Sequence, residues 1–521
     1  MHTPVSSPDQ LAVKPARFLL PSITDLIFIV LLITFTYGVL SPRLLWDGDI
    51  GWHIRDGQNI ITTRAIPHTD SFSATMSGKP WYAWEWLYDL GMGWIFNLVA
   101  LNGVIFFSAL VIALTLSLVF RLSLLRGGTV TTTAVLLLVC IVASSIHFLA
   151  RPHVVSWLIT VVWFWVLDSS YTKDRLNRIW FLPLVMLLWA NLHGGFLIGF
   201  VLLAIFLAAD FLKLLRCRDA EQRQTTSRHA RHLAAIFGVS ALASLINPYG
   251  YRLHIHVYQY LTNRFLMQHI DEFRRPNLRG LPMQFFLLLL ALTLIGIFVV
   301  HARLRWAEWL LILFSAVSGL YAARNIPVAA MLLTMIAAPL FSRVSAGSSG
   351  LFFRLRAFSS RIDGLETQLR WHLWPVLLVL LSAAICFHHG TLFGKQLMNA
   401  HFDATRFPVQ AMDIIQQRGN REPIWTLDSW GGYLIYRLYP GTKVFLDDRH
   451  DFYGEAFVRD YLKLLHAEPG WNQVLDHLGV NLIVVPSKSK LGDALQHELG
   501  WKPIYNDEVA KVFERTPGRP D

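Results

Sequence analysis

Apolar residues in this sequence gather into blocks of about 20, the length at which a helix crosses a bilayer. Such blocks run roughly over 23–45, 102–121, 130–150, 154–170, 179–191, 195–213, 232–247, 282–301, 306–321, 326–342 and 373–391. The block at 179–191 is short for a span, which leaves the count at about 11. Of the 521 residues, 54% are hydrophobic and 16% charged, against about a quarter charged in a soluble domain. These figures exclude intrinsic disorder and a single soluble core. The expected fold class is a polytopic α-helical membrane protein of about 11 transmembrane helices, followed by a soluble α/β domain.

Charge separates the two parts. Residues 398–521 hold 14 Lys/Arg against 17 Asp/Glu, a net of −3, so the rest carries +14 of the total of +11. That excess sits in short loops between apolar blocks, which argues against nucleic acid and for the positive-inside rule. With the N-terminus inside, the inside loops hold Arg121, Arg126, Lys173, Arg175, Arg178, Lys213, Arg216, Arg303, Arg305 and Arg370, among others. An odd number of spans then places the C-terminal region outside. The polar start, with Lys14 and Arg17, is followed by no small-residue cleavage site, so the first apolar block reads as a retained helix. Cys140, Cys217 and Cys386 suggest neither a disulfide nor a zinc site.

The expected organisation is a membrane domain over 1–397, with its first outer loop at about 46–87, and an extracytoplasmic α/β domain over 398–521. In the latter, Pro423–Leu427, Lys443–Leu446 and Asn481–Val485 read as strands, and Phe407–Arg418 and Glu455–His466 as amphipathic helices.

The first outer loop is the richest in chemistry. Asp47 and Asp49 stand just beyond the first helix. A carboxylate there can take a proton from an acceptor hydroxyl, and a pair can hold a divalent cation. No cofactor is specified beyond that. His53 and Asp56 follow, and Trp81, Trp84 and Trp86 frame Glu85. The plain alternative is a solvated loop with an interfacial aromatic belt.

Further polar groups map to the same outer face: Arg151–His153, Asn191–Gly195, Asn247–Gly250, Asp271–Pro276 and Arg324–Pro327. Arg151, Arg274, Arg275 and Arg324 are candidate donor-phosphate ligands, because arginine offers a fixed fork of donors. Taken singly, each also fits a snorkelling side chain or a helix stop. His53, Glu85 and His193 are candidate substrate-binding residues. His147, His153 and His193 show no metal-ligand spacing and read as satisfied buried histidines. In the soluble domain, Gly431 and Gly432 suit a tight turn or a close approach to ligand. Asp447, Asp448, Arg449, His450 and Asp451 cluster at a strand end, where α/β proteins bind ligands; an internally paired network is the alternative. No nucleotide-binding or hydrolase motif is present.

The stretch DGDIGWHIRDGQNI…IPHTDSFS…KPWYAWEWL resembles bacterial members of the GT-C superfamily of membrane glycosyltransferases. That group includes protein mannosyltransferase-like and lipid A aminoarabinose transferase-like enzymes. The segments LPLVMLLWANLHGGFLIG, LINPYG, DEFRRP, WGGYLIYRL and KVFLDDRHDFYG resemble those of other such proteins, so the likeness covers most of the chain. It implies a polyprenyl-phosphate sugar as donor, a glycan, lipid or protein acceptor, and transfer at the outer face of the cytoplasmic membrane. It also implies an acidic residue of the first outer loop acting at the acceptor, which here is Asp47 or Asp49. Two other readings stay open. A transporter or flippase of lipid-linked saccharides should show internal repeats and helices broken at the midplane; the sequence shows no repeat, although the Gly-rich break at His193–Gly195 leaves room. A non-catalytic membrane assembly protein would not need the first-loop acids.

Overall fold

The computed structural model of the chain describes residues 19–171, 173–344, 351–369 and 372–516. Lys14, Arg17 and Arg370 lie outside the described residues. Each apolar block marked in the sequence is helical over much of its length. Among the described residues, five helices are long and apolar enough to cross a membrane: Trp86–Leu125, Val130–His147, Gly194–Arg216, Leu281–Val300 and Ala323–Arg343. Ile23–Thr36, His153–Ser169, Trp306–Tyr321 and Leu373–Phe387 are apolar but shorter. The chain is a multi-pass membrane protein.

Two blocks differ from their expected form. The first helix starts at a capping box, Ser22 with Asp25, and stops at Thr36 rather than near Leu45. Pro42 then opens a separate 3-10 turn, Pro42–Leu45, because a proline lacks the N–H that would continue the helix. The helix Trp86–Leu125 is broken at Val99 and Ala100, and Ala100 sits at φ 53°. Its first arm leaves the apolar block and packs on the first outer loop.

Loops alternate between two ends. At one end Arg126 pairs with Asp168 and Glu308, Arg305 with Asp168, and Arg121 with Glu366. These come from the loops assigned to the inside by charge. The loop over 46–87, the other turns expected on the outer face and the C-terminal region gather at the other end.

The first outer loop is largely structured. Its helix Ile50–Thr63 lies between the arm of Trp86–Leu125 and the C-terminal helix Asp428–Leu438. Glycines allow both approaches. A Cβ on Gly57 would stand 1.8 Å from the Asp89 carbonyl oxygen, and one on Gly432 2.5 Å from that of Gly48. Gly431 and Gly432 thus let helix Asp428–Leu438 meet neighbouring backbone closely, in place of the expected tight turn or approach to ligand.

After a short hairpin of β1 (Thr391–Leu392) and β2 (Lys395–Gln396), the C-terminal region builds a four-stranded sheet. Its strands are β3 (Ile424–Trp425), β4 (Leu482–Pro486), β5 (Trp501–Asn506) and β6 (Ala510–Arg515), in the order β3-β4-β6-β5. β3 and β4 are parallel and the other pairs antiparallel. Lys443–Leu446 does not form a strand of its own. Val444 makes single parallel bridges to Ile424 on one side and to Ser73 of the first outer loop on the other. The sheet edge is therefore covered by the loop, and the two share one apolar core.

Candidate active site

Arg151 is the hub of the charged end. The Ala150 N–H donates to the Leu44 carbonyl at 2.8 Å, which pins the Arg151 backbone beside the first outer loop. One guanidinium nitrogen, Nη1, reaches Asp47 at 2.8 Å and Glu272 at 2.6 Å, with Asp448 at 3.8 Å. The other, Nη2, reaches Asp49 at 2.8 Å. Four carboxylates thus surround one arginine. The Asp49 N–H donates to Asp47 Oδ1 at 3.0 Å, which fixes the two acids relative to each other.

A cavity of about 440 Å³ opens beside this hub, with Asp49, Glu85, Arg151, His193, Arg324 and Asp448 in its wall. Its floor is aromatic, with Trp52, Trp81, Trp84, Trp157 and Tyr260. Arg324 stands 4.0 Å from Glu272, so Arg151 and Arg324 flank that acid from two sides. Burial alone would raise the Glu272 carboxyl, but Arg151 and Arg324 hold it well below the usual range. Asp49 behaves oppositely. Burial pushes it well above the carboxylate range, Asp448 and Asp47 add to that, and Arg151 opposes it. Its Oδ1 is buried without a hydrogen-bond partner.

Glu85 is lifted by burial to about 8. It lies 3.6 Å from His193 Nε2 and 3.9 Å from His53 Nε2. His193 Nδ1 receives the Gly195 N–H at 3.0 Å and lies 2.7 Å from the Ser156 hydroxyl, which itself accepts from Trp189. Nδ1 is therefore an acceptor, and the proton sits on Nε2, facing Glu85. His53 is buried behind Glu85, outside the cavity wall, with Nδ1 on Asp89 at 2.5 Å.

The C-terminal region supplies the far wall. His450 bridges Asp448, at 2.9 Å from Nδ1, and Asp428, at 3.0 Å from Nε2. Burial would lower His450, but the two carboxylates hold it well above the usual histidine range. Arg449 is fixed by Asp447 and Asp70 and stacks over Trp81 at 4.6 Å. The cluster, which follows no formed strand, is thus both an internal network and, through Asp448, Arg449, His450 and Asp451, part of the cavity wall.

Asp49, Arg151, Arg324, Glu85 and His193 line one cavity, and Asp47 supports it from behind. Arg274 and Arg275 do not belong to it. Both are exposed, and Arg274 pairs with Asp271 at 2.9 Å. The 3-10 turn Asp271–Phe273 turns Glu272 inward and sends the two arginines out. Glu272 and Asp448 are among the cavity residues that the sequence did not assign to this site.

One group of carboxylates suits a metal. Asp47, Asp49 and Asp448 each offer an oxygen, and these oxygens lie within 4.8 Å of one another. Such oxygen-only donors match a hard divalent cation. The unpartnered Asp49 Oδ1 and the surplus of acids over arginines at the hub fit the same ion.

No protein-family model and no curated protein sequence matches the chain. Solved structures do. The archaeal oligosaccharyltransferase AglB from Archaeoglobus fulgidus, in complex with an inhibitory peptide and a dolichol-phosphate, superposes with a TM-score of 0.54 at 12% identity. That match covers 89% of this chain and 69% of AglB. ArnT from Cupriavidus metallidurans, bound to undecaprenyl phosphate, gives 0.51 at 13% identity over 94% of this chain and 97% of its own. The arabinofuranosyltransferase AftD from Mycobacteria gives 0.50 at 12% identity over 98% of this chain and 42% of AftD. All three are glycosyltransferases of the GT-C fold, and the chain shares that fold.

Proposed function

We propose that the chain is a glycosyltransferase that moves a sugar from a polyprenyl-phosphate donor to an acceptor hydroxyl on the outer face of a cytoplasmic membrane. The single observation that carries this reading is the meeting of Asp49, Arg151 and Arg324 in one cavity at the end of an apolar groove. The groove, of about 430 Å³, runs between helices Leu197–Arg216 and Trp306–Tyr321 along Val201, Ile205, Leu313 and Val317. Tyr321 and Asn325 line both groove and cavity. A polyprenyl chain in the groove brings its phosphate to Arg324. The dolichol-phosphate and undecaprenyl phosphate in the AglB and ArnT structures support a lipid-linked donor.

Asp49 is the base in this reading. Its Oδ1 is left without a hydrogen-bond partner and is the atom that takes the proton. The acceptor oxygen forms a bond to the anomeric carbon as its proton passes to Asp49. The bond from that carbon to the phosphate oxygen breaks, and its electron pair leaves with the lipid phosphate. Arg324 and Arg151 stabilise the charge that gathers there. Asp47 and Glu272 hold Arg151 in place. A divalent cation held by Asp47, Asp49 and Asp448 would neutralise the crowded acids. The test is incubation of the purified chain with a panel of radiolabelled polyprenyl-phosphate sugars. Transfer or release of label from at least one is expected, and its absence across the panel overturns the proposal.

A further inference from the structure

A second concentration of positive charge lies outside the cavity, and neither the proposed chemistry nor the membrane core uses it. Arg43 and Arg406 both stand over the ring of Trp46, with guanidinium carbons 4.9 and 4.4 Å from its centroid. Arg43 comes from the turn that follows the first membrane helix, and Arg406 from the start of the C-terminal region. Among the described residues, neither guanidinium has a carboxylate within 4.0 Å, although Asp403 shares the Arg406 turn. Asp403 Oδ1 accepts from both the N–H and the hydroxyl of Thr405, and no Asp403 oxygen lies within ion-pair distance of Arg406.

Both arginines are held by their backbones. Arg43 lies inside the 3-10 turn Pro42–Leu45. The Arg406 carbonyl accepts from the Trp430 indole at 2.9 Å, and its N–H donates to the Asp403 carbonyl at 3.0 Å. Two cations are thus brought to one aromatic ring with their donors unspent. Repulsion between them is visible at Arg43, whose pKa is lowered first by burial and then by Arg406. An anion between the two forks would remove that repulsion and take up the donors. The surroundings indicate which anion. Val39, four residues before Arg43, is 89% exposed, and Trp46 is 38% exposed. An apolar residue facing out beside arginine and tryptophan is the pattern of a membrane–water interface.

We infer that Arg43, Arg406 and Trp46 form a phosphate-binding site at the membrane surface, separate from the catalytic cavity. The ligand is a phosphate group, borne by a lipid headgroup or free in solution. This inference does not depend on the glycosyltransferase reading, because its readout is binding and not turnover.

The test is calorimetric titration of the purified full chain in neutral detergent with short-chain phosphatidylglycerol, and separately with inorganic phosphate. The Arg43→Gln/Arg406→Gln double variant should bind on the order of tenfold more weakly, the scale set by loss of charge-assisted forks. Loss of phosphatidylglycerol binding alone identifies a lipid headgroup as the ligand. Loss of inorganic phosphate binding as well identifies the phosphate itself. Affinity equal to wild type for both probes overturns the site. Should the Gln pair fail to fold, the Arg43→Lys/Arg406→Lys pair keeps both charges and loses the fork. It should still bind several-fold more weakly, and unchanged affinity there is equally fatal.

Discussion

Asp448 Oδ2 lies 3.8 Å from Arg151 Nη1, across a contact between the C-terminal region and the turn before helix His153–Ser169. The cavity is therefore closed by two parts of the chain that the sequence separates by nearly three hundred residues. Each part can be challenged separately.

Asp49→Asn should lower sugar transfer by about two to four powers of ten, the usual scale for loss of a general base. Asp47→Asn should cost less, because Asp47 acts by holding Arg151. Labelled-sugar transfer by the two variants, with matched melting curves, decides the assignment. Full activity in Asp49→Asn removes it as the base.

Arg151→Lys and Arg324→Lys should each weaken donor use by about tenfold or more, since lysine keeps the charge and loses the two-pronged geometry. Arg274→Lys and Arg275→Lys should stay within about twofold of wild type, as expected for exposed charges. The KM for the donor is the measurement. An equal effect in all four would point to general electrostatics instead of a built phosphate site.

Glu85 provides a test against pH. Burial raises its pKa from 4.5 to about 8, so the folded chain keeps a proton that the unfolded chain releases. The folded state is then least penalised below the unfolded value, and stability is lost as pH climbs from about 4.5 towards 8. Glu85→Gln, neutral throughout, should show a smaller fall in Tm between about pH 5 and pH 8 than wild type. Parallel curves would show that Glu85 ionises normally.

Gly432→Ala places a methyl 2.5 Å from the Gly48 carbonyl oxygen. It should cost about 1–3 kcal/mol through overpacking and loosen the C-terminal region from the first outer loop. Hydrogen exchange of helices Ile50–Thr63 and Asp428–Leu438 should rise together. A rise in only one would contradict their mutual support.

The orientation rests on charge asymmetry and has a direct check. Lys488, exposed in the C-terminal region, replaced by cysteine, should be labelled by an impermeant reagent on intact cells. Labelling only after permeabilisation would reverse the topology.

Much of this was legible in the sequence, for identifiable reasons. Apolar blocks long enough to span a bilayer have few alternatives to helix, because backbone groups in lipid must pair within their own segment. Alternation of spans then put Asp49, Glu85, Arg151, His193 and Arg324 on one face without any knowledge of packing. The failures came where a single turn decided direction. In DEFRRP the sequence drew attention to Arg274 and Arg275, yet the turn at Asp271–Phe273 faces Glu272 inward. Asp448 was visible in its cluster. Its place beside Arg151 depends on the close approach of Gly48 and Gly432, which spacing along a chain cannot reveal. Lys443–Leu446 carried a strand pattern, but it pairs through Val444 alone, with a loop as one neighbour.

The ion pair between Asp70 and Arg449 sets a timetable for biosynthesis. Asp70 is fully buried, and its Oδ1 meets Arg449 Nη2 at 2.8 Å, from a residue 379 positions later. The apolar helices among the described residues all precede that arginine in the chain and are therefore synthesised first. Until then the acids of the first outer loop lack their C-terminal partners and stay in water, since an unpaired buried charge is costly. The nascent chain thus carries an unfinished, hydrated pocket that shuts only once Asp448 and Arg449 have been made.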